Sequence, residues 1–255
     1  MLHDQLDPGV AARLGDDLLV ESVQRTIEPR LFAIIKEFGD AELVSLGIEA
    51  PLSMTDPRIV GFLVEQSALR SVGINETTKR KLSGQLADAI IAGESISSVR
   101  SRISEYFTQA AVSRSMMISR TTVNAAANLG VMLAHQQSGR VATRMWVTTR
   151  DRHTRDTHFS LHGQVRSVTR PFEIPLTGRK AMYPGGFGVP SEDIHCRCTT
   201  VPLARSRSDG EDGGGGGLDS FWDRVRVWEA ILARDMAELF IAQGNLVLGG
   251  ITSER

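Results

Sequence analysis

A change of texture at residue 139 constrains this chain more than any other feature of its sequence. Before it, apolar residues recur at helical spacing, and after it short β-like runs alternate with turn chemistry. Leu18, Val20, Val23, Ile27, Leu31, Ile34 and Ile35 line one helical face, with Gly39 standing where a C-terminal stop would fall. Pro57 suits the first turn of a second helix that turns Ile59, Phe62, Leu63, Ala68 and Leu69 inward and ends before Gly73. Asn75 caps a third, with Leu82, Leu86, Ala89, Ile90 and Ile91 inward and Gly93 as its stop. A fourth opens at Ser95 or Ser97 and carries Val99, Ile103 and Phe107. A fifth runs from about Ser113 to Ser138, with Gly139 as its C-cap. Its alanines and Gly130 predict close packing against a neighbour.

Beyond residue 139 the pieces are MWVTT, a short strand, then QVRSVTRPFEIPL, which alternates around two prolines, then YPGGFGVPSED, which is turn chemistry throughout. GGFG has a superficial likeness to a phosphate-cradling loop, but no strand leads in and no helix with a Lys follows, so a turn is expected. RSRSDGEDGGGGG reads as a flexible linker, since its glycine run has no side chain to anchor it. Asp219 then caps a helix whose Phe221, Trp222, Val225, Trp228, Ile231 and Leu232 share an apolar face. That face must dock, either on a partner through Phe221, Trp222, Trp228, Ile231 and Leu232 or on the chain's own core. The expected fold is α+β and predominantly helical: a helical region 1–139, a basic α+β unit 140–204, a glycine-rich linker 205–218 and an amphipathic arm 219–255.

Hydrophobic residues at 41% and charged residues at 23% are ordinary for a globular chain and exclude wholesale disorder. No apolar run approaches the roughly 20 residues that span a bilayer. The opening MLHDQLDPGVAARLGDD is too acidic and polar for a signal peptide, so synthesis and retention in a cytoplasm are expected, with no membrane partner. The net charge of −1 hides an asymmetry, because residues 140–207 carry 12 Lys and Arg against 5 Asp and Glu. All but Lys180 of those cations are Arg, which suits bidentate contact to phosphate or carboxylate.

Three ordered motifs carry a resemblance. ISRTTVNAAANLG, residues 118–130, includes Arg120, Asn128 and Gly130; MWVTTRDRHTRDTHFSLHGQV, residues 145–165, includes Trp146, Asp151, Arg155, His158, Leu161 and Gly163; IHCRCTT, residues 194–200, holds Arg197 between two cysteines. Together they resemble the Mu F-like phage head-morphogenesis family of minor head proteins, with Ser119 and Thr122 standing where Ala and Glu are common in that family. The resemblance implies a structural, non-enzymatic minor capsid protein inside the virion near the portal. It would assemble with portal protein, major capsid protein and scaffold, meet packaged DNA through phosphates, and in some cases be ejected with it. Some relatives carry a toxin or enzyme domain after this unit, and the stretch beyond residue 218 is too short for one.

His158 and His162, four apart, would share one face of a helix, and His195, Cys196 and Cys198 follow downstream. A one-residue gap makes a Cys196–Cys198 disulfide strained, so these are thiols or ligands. Two imidazoles and two thiolates can hold a structural zinc ion. Some family relatives show Cys where Arg155 and His158 stand, which supports a metal reading for the family. The other reading is a hydrogen-bonded knot in which Asp151 pairs with Arg155 or Arg197 and the cysteines pack as small apolar groups. Two rival functions stay open: a metal-dependent hydrolase or nuclease using this cluster, with Asp151, Glu192 or Asp193 as base, and a DNA-binding module without catalysis. Neither H-E-x-x-H, a Walker A loop nor G-x-S-x-G occurs.

Overall fold

The computed structural model describes residues 17–63 and 96–203, with scattered positions between 84 and 94 and between 222 and 238. The expected third helix falls largely outside them, as do the linker 205–218, Ala68, Leu69, Phe221, Trp228, Ile231 and Leu232. Within the described residues the fold is α+β and predominantly helical, in the order α1 (Asp17–Ser45), α2 (Ile96–Ser138), β1 (Thr143–Thr148), α3 (Asp156–Phe159), β2 (Val165–Ser167), β3 (Phe172–Glu173), β4 (Lys180–Ala181), α4 (Pro190–Asp193) and β5 (Cys198–Leu203). No helix here is long and apolar enough to cross a membrane.

The first helix does not stop at Gly39. It runs on to Ser45, and the glycine that turns left-handed after it is Gly47, at φ 71°. Gly39 serves close approach instead, since a Cβ there would meet Leu52 Cδ2 at 2.4 Å and the Gly130 carbonyl oxygen at 3.2 Å. Gly130 answers it from α2, where a Cβ would stand 2.3 Å from the Ile35 carbonyl oxygen. The neighbour expected for the fifth helix is therefore α1, and the two backbones meet where neither residue has a side chain. Leu31, Ile34, Ile35, Phe38 and Leu43 are buried on α1, as are Ala126, Ala127, Leu129 and Leu133 on α2.

The fourth and fifth helices prove to be one, α2, of 43 residues. Between Phe107 and Ser113 lie only Thr, Gln, Ala and Val, with neither Gly nor Pro to end the hydrogen-bond ladder. Its C-terminus falls at Ser138 with Gly139 at φ 61°, the expected cap. Pro57 opens a helical stretch over 57–63, where Asp56 Oδ1 accepts from the Arg58 backbone N–H at 2.9 Å and Ile59 and Phe62 are buried.

Contacts gather the chain into two compact units, one of Arg30–Val60 with Met117–Ala230, the other of Met1–Pro29, Gly61–Met116 and Ile231–Arg255. The change of texture at 139 thus separates element types inside the first unit and does not divide unit from unit. In that first unit, β2, β1 and β5 make an antiparallel sheet in that order, with Trp146 opposite Thr200 and Thr148 opposite Cys198, while β3 and β4 form a two-stranded ribbon. Gln136 Nε2 donates to the Val168 carbonyl at 3.0 Å, and Asn128 Nδ2 to the Cys198 carbonyl at 3.0 Å, so α2 is fastened to the strand region at both of those points. Alternate residues of β1 turn inward: Arg144, Trp146 and Thr148 are buried.

Candidate metal centre

Trp146, Leu161, Phe172, Ile174, Cys196 and Cys198 form one buried cluster, with Phe187 packed against it. Trp146 meets Phe172 edge-on, centroids 5.1 Å apart, and lies 6.3 Å from the ring of His158. One turn of helix, α3, delivers His158 into this cluster at 2% exposure. Cys196 and Cys198 arrive from the other side at the entry to β5. Both cysteines are buried, while Arg197 between them is half-buried and reaches Asp151. The His158 Nδ1 atom lies 3.7 Å from Cys196 Sγ and 3.4 Å from Cys198 Sγ. The Cys198 thiol is pushed well up by the neighbouring Cys196 sulfur and by burial, while Cys196 is drawn down by its hydrogen bond with Cys198 and by His158.

On the far edge of the imidazole, Nε2 faces Glu192 Oε2 at 3.4 Å. Glu192 is 3% exposed and is held in place by the Thr157 hydroxyl at 2.9 Å and Arg179 Nη1 at 2.7 Å. In the sequence Glu192 stands out only as a base by proximity, and nothing in its spacing signals that it lies 3.4 Å from His158 Nε2.

His162 and His195 are not brought to the sulfurs. The helix carrying His158 ends at Phe159, so the four-residue spacing to His162 no longer implies a common face. His162 Nδ1 accepts instead from the Thr148 backbone N–H at 3.2 Å and supports the end of β1. His195 is exposed, sits at φ 56° and donates its backbone N–H to Thr121 Oγ1 at 3.1 Å. The partial desolvation of its ring, with Arg120, Arg155 and Arg197 nearby, lowers its pKa.

The other motif residues hold the knot together. Asp151 accepts both guanidinium nitrogens of Arg197 at 2.6 and 2.7 Å. Arg155 donates to the Ile194 carbonyl, so it reaches the approach to the cysteines and not Asp151. Gly163, at φ 79°, donates to the Trp146 carbonyl at 2.9 Å in a turn that a side chain would strain. Arg120 is exposed. The GGFG segment is a turn, with Gly185 and Gly188 at positive φ and Asp193 accepting from the backbone N–H groups of Phe187 and Val189 at 3.0 and 3.1 Å. Arg144, which the sequence offered only as one of many cations, is buried over the Phe172 ring at 4.9 Å and donates to the carbonyls of Met182 and Arg170. Burial alone lowers its pKa to about 10.

Residues 80–201, which contain His158, Glu192, Cys196 and Cys198, match the family described as Phage Mu protein F like protein. Over that stretch the chain is similar to the Mu F-like phage proteins. It is also similar to the NAD(+)--arginine ADP-ribosyltransferase EFV of Enterococcus faecalis (strain ATCC 700802 / V583), at 28% identity over 180 residues. The aligned part covers 66% of this chain and 36% of that relative, so the chain spans little more than a third of the length of the relative it matches. No solved structure matches the chain.

Proposed function

We propose that this chain is a minor head protein, a structural component of the capsid interior near the portal of a tailed phage or phage-derived particle. One observation carries the reading. Six of the motif residues are spent on the fold: Trp146, Leu161 and Asn128 are at 0% exposure and His158, Cys196 and Cys198 at 2%. A catalytic constellation has to meet its substrate, whereas a constellation sealed from solvent positions backbone. This argues against the hydrolase and nuclease readings.

The transferase named in the relative is not carried over, since most of that protein lies outside the aligned part. Nor is DNA binding the leading role. Arg140, Arg144, Arg155, Arg179 and Arg197 of the basic segment make contacts within the protein, as do the exposed Arg150, over the Phe159 ring, and Arg152, which donates to His153, so non-specific phosphate contact inside a filled head is at most a secondary role. Portal protein, major capsid protein and scaffold are the partners this reading requires.

The experiment is to follow the tagged chain through particle assembly and to assay the purified chain with NAD and an arginine acceptor. Co-sedimentation with procapsids and portal, without ADP-ribosyl transfer, is expected. Absence from both procapsid and virion overturns the head-protein reading, and transfer of ADP-ribose overturns its non-enzymatic part.

A further inference from the structure

We propose that His158 Nδ1, Cys196 Sγ and Cys198 Sγ bind one zinc ion, and that Glu192 orients His158 for the purpose from behind. The three ligand atoms all lie within 4.8 Å of one another, and all three residues are buried. Zinc bonds of about 2.3 Å to sulfur and about 2.05 Å to nitrogen, set at the tetrahedral angle, put ligand nitrogen and sulfur roughly 3.6 Å apart. The observed separations of 3.7 and 3.4 Å straddle that edge.

A hydrogen-bonded knot accounts for less of this geometry. The lone pair of a neutral imidazole nitrogen accepts from one thiol, yet Nδ1 sits near two sulfurs. On the far edge of the ring Nε2 is buried without a hydrogen-bond partner among the described residues, and the Glu192 carboxylate lies 3.4 Å from it. The charge of that carboxylate favours a proton on Nε2, which leaves the Nδ1 lone pair facing the sulfurs. A carboxylate behind a histidine is the arrangement by which proteins fix a metal-ligating imidazole and raise its basicity. Thr157 and Arg179 hold Glu192 in turn.

The C-x-C spacing fits the same purpose. It brings both buried sulfurs to His158 Nδ1 while Arg197, between them, reaches outward to Asp151. Two thiolates with an imidazole select zinc over magnesium or calcium. On ligation each thiol releases its proton to solvent, and the dication compensates two negative sulfurs in an apolar cluster where neither would otherwise be tolerated. Among the described residues no fourth Asp, Glu, His or Cys joins the group, so a water or a ligand outside them completes the coordination. The inference does not depend on a role in the head.

The test uses the full-length chain, purified reduced and analysed for metal, then stripped and titrated with cobalt(II). About one zinc per chain is expected, together with a thiolate-to-cobalt charge-transfer band and the strong visible bands of a tetrahedral site. Cys196→Ser, Cys198→Ser and His158→Ala should each diminish those bands, while His162→Ala and His195→Ala should leave them unchanged. Glu192→Gln should keep the spectrum and weaken zinc affinity by about 10- to 100-fold. A reduced wild-type chain with no zinc and no charge-transfer band overturns the site, whether or not the cysteine variants fold. Loss of the bands in His162→Ala or His195→Ala overturns the ligand set, and unaltered affinity in Glu192→Gln overturns the role of Glu192.

Discussion

The carboxamide of Asn128, on α2, donates to the carbonyl of Cys198 at 3.0 Å and fastens the start of β5 to the long helix. The two residues are 70 apart in sequence, and both are buried. Asn128→Ala would strand a buried carbonyl at the point where the cysteines enter the core. Leaving such a group without its donor costs about 1–3 kcal/mol. Chemical unfolding should show a loss of that size with an unchanged denaturant slope, and an unchanged midpoint would refute the assignment.

Gly130 and Gly39 mark the crossing of α1 and α2, but they should not tolerate alanine equally. At Gly130 the new methyl would meet backbone, the Ile35 carbonyl oxygen at 2.3 Å, which moves only if the helix moves. At Gly39 the nearest atom is Leu52 Cδ2 at 2.4 Å, the end of a side chain that can rotate away. Gly130→Ala should therefore cost at least the roughly 1–3 kcal/mol typical of overpacking, and Gly39→Ala less. Thermal melts of the two variants check the order, and the reverse order would mean the helices part more easily than the leucine turns.

Much of this was legible in the sequence, and the failures have physical causes. Helical periodicity located α1 and α2, and Gly139 gave a true end. Gly39 misled because a glycine needed for close approach and a glycine needed for a left-handed turn are the same letter, and only the partner helix distinguishes them. His162 misled because its spacing from His158 means a shared face only if the helix continues, and α3 ends after a single turn. His158 with Cys196 and Cys198 could be named from sequence, whereas Glu192 and Arg144 could not. Their burial depends on contacts with Arg179 and Thr157, and with Phe172 and two carbonyls, which no local pattern encodes.

Arg197 holds the carboxyl of Asp151 well below the usual carboxylate range, with the His153 backbone N–H and the Thr154 hydroxyl assisting. A depressed folded pKa contributes stability that is present above the ordinary Asp value of about 3.9 and is lost as pH falls through the folded value. The loop 149–155 should accordingly stay clamped at neutral and mildly acidic pH and loosen only below that range. Carboxyl titration by NMR should place Asp151 below its ordinary midpoint, and Asp151→Asn should speed amide exchange in 149–155 at neutral pH. Both partners are partly exposed, so raised salt should weaken the effect. An ordinary midpoint with unchanged exchange would show that the pair does not hold the loop.

The described positions of the C-terminal arm are helical, and the part up to Ala230 belongs to the same compact unit as the cysteine knot, with Val225 at 2% exposure and Trp222 half-buried. That segment packs on its own chain. Glu229 reports on the packing. Burial pushes its carboxyl pKa up, and the nearby Arg120, Arg226 and Arg197 only partly oppose this. A raised folded pKa means the packed state favours the neutral acid, so its contribution is complete below the ordinary value of 4.5 and is lost as pH rises through the folded value. At neutral pH the ionised side chain should work against docking. Glu229→Gln, neutral at every pH, should slow amide exchange across 222–230 at pH 7 and match the wild type near pH 4. If the glutamine variant instead exchanges faster at pH 7, attraction to Arg120 and Arg197 outweighs burial, and the segment is held by charge.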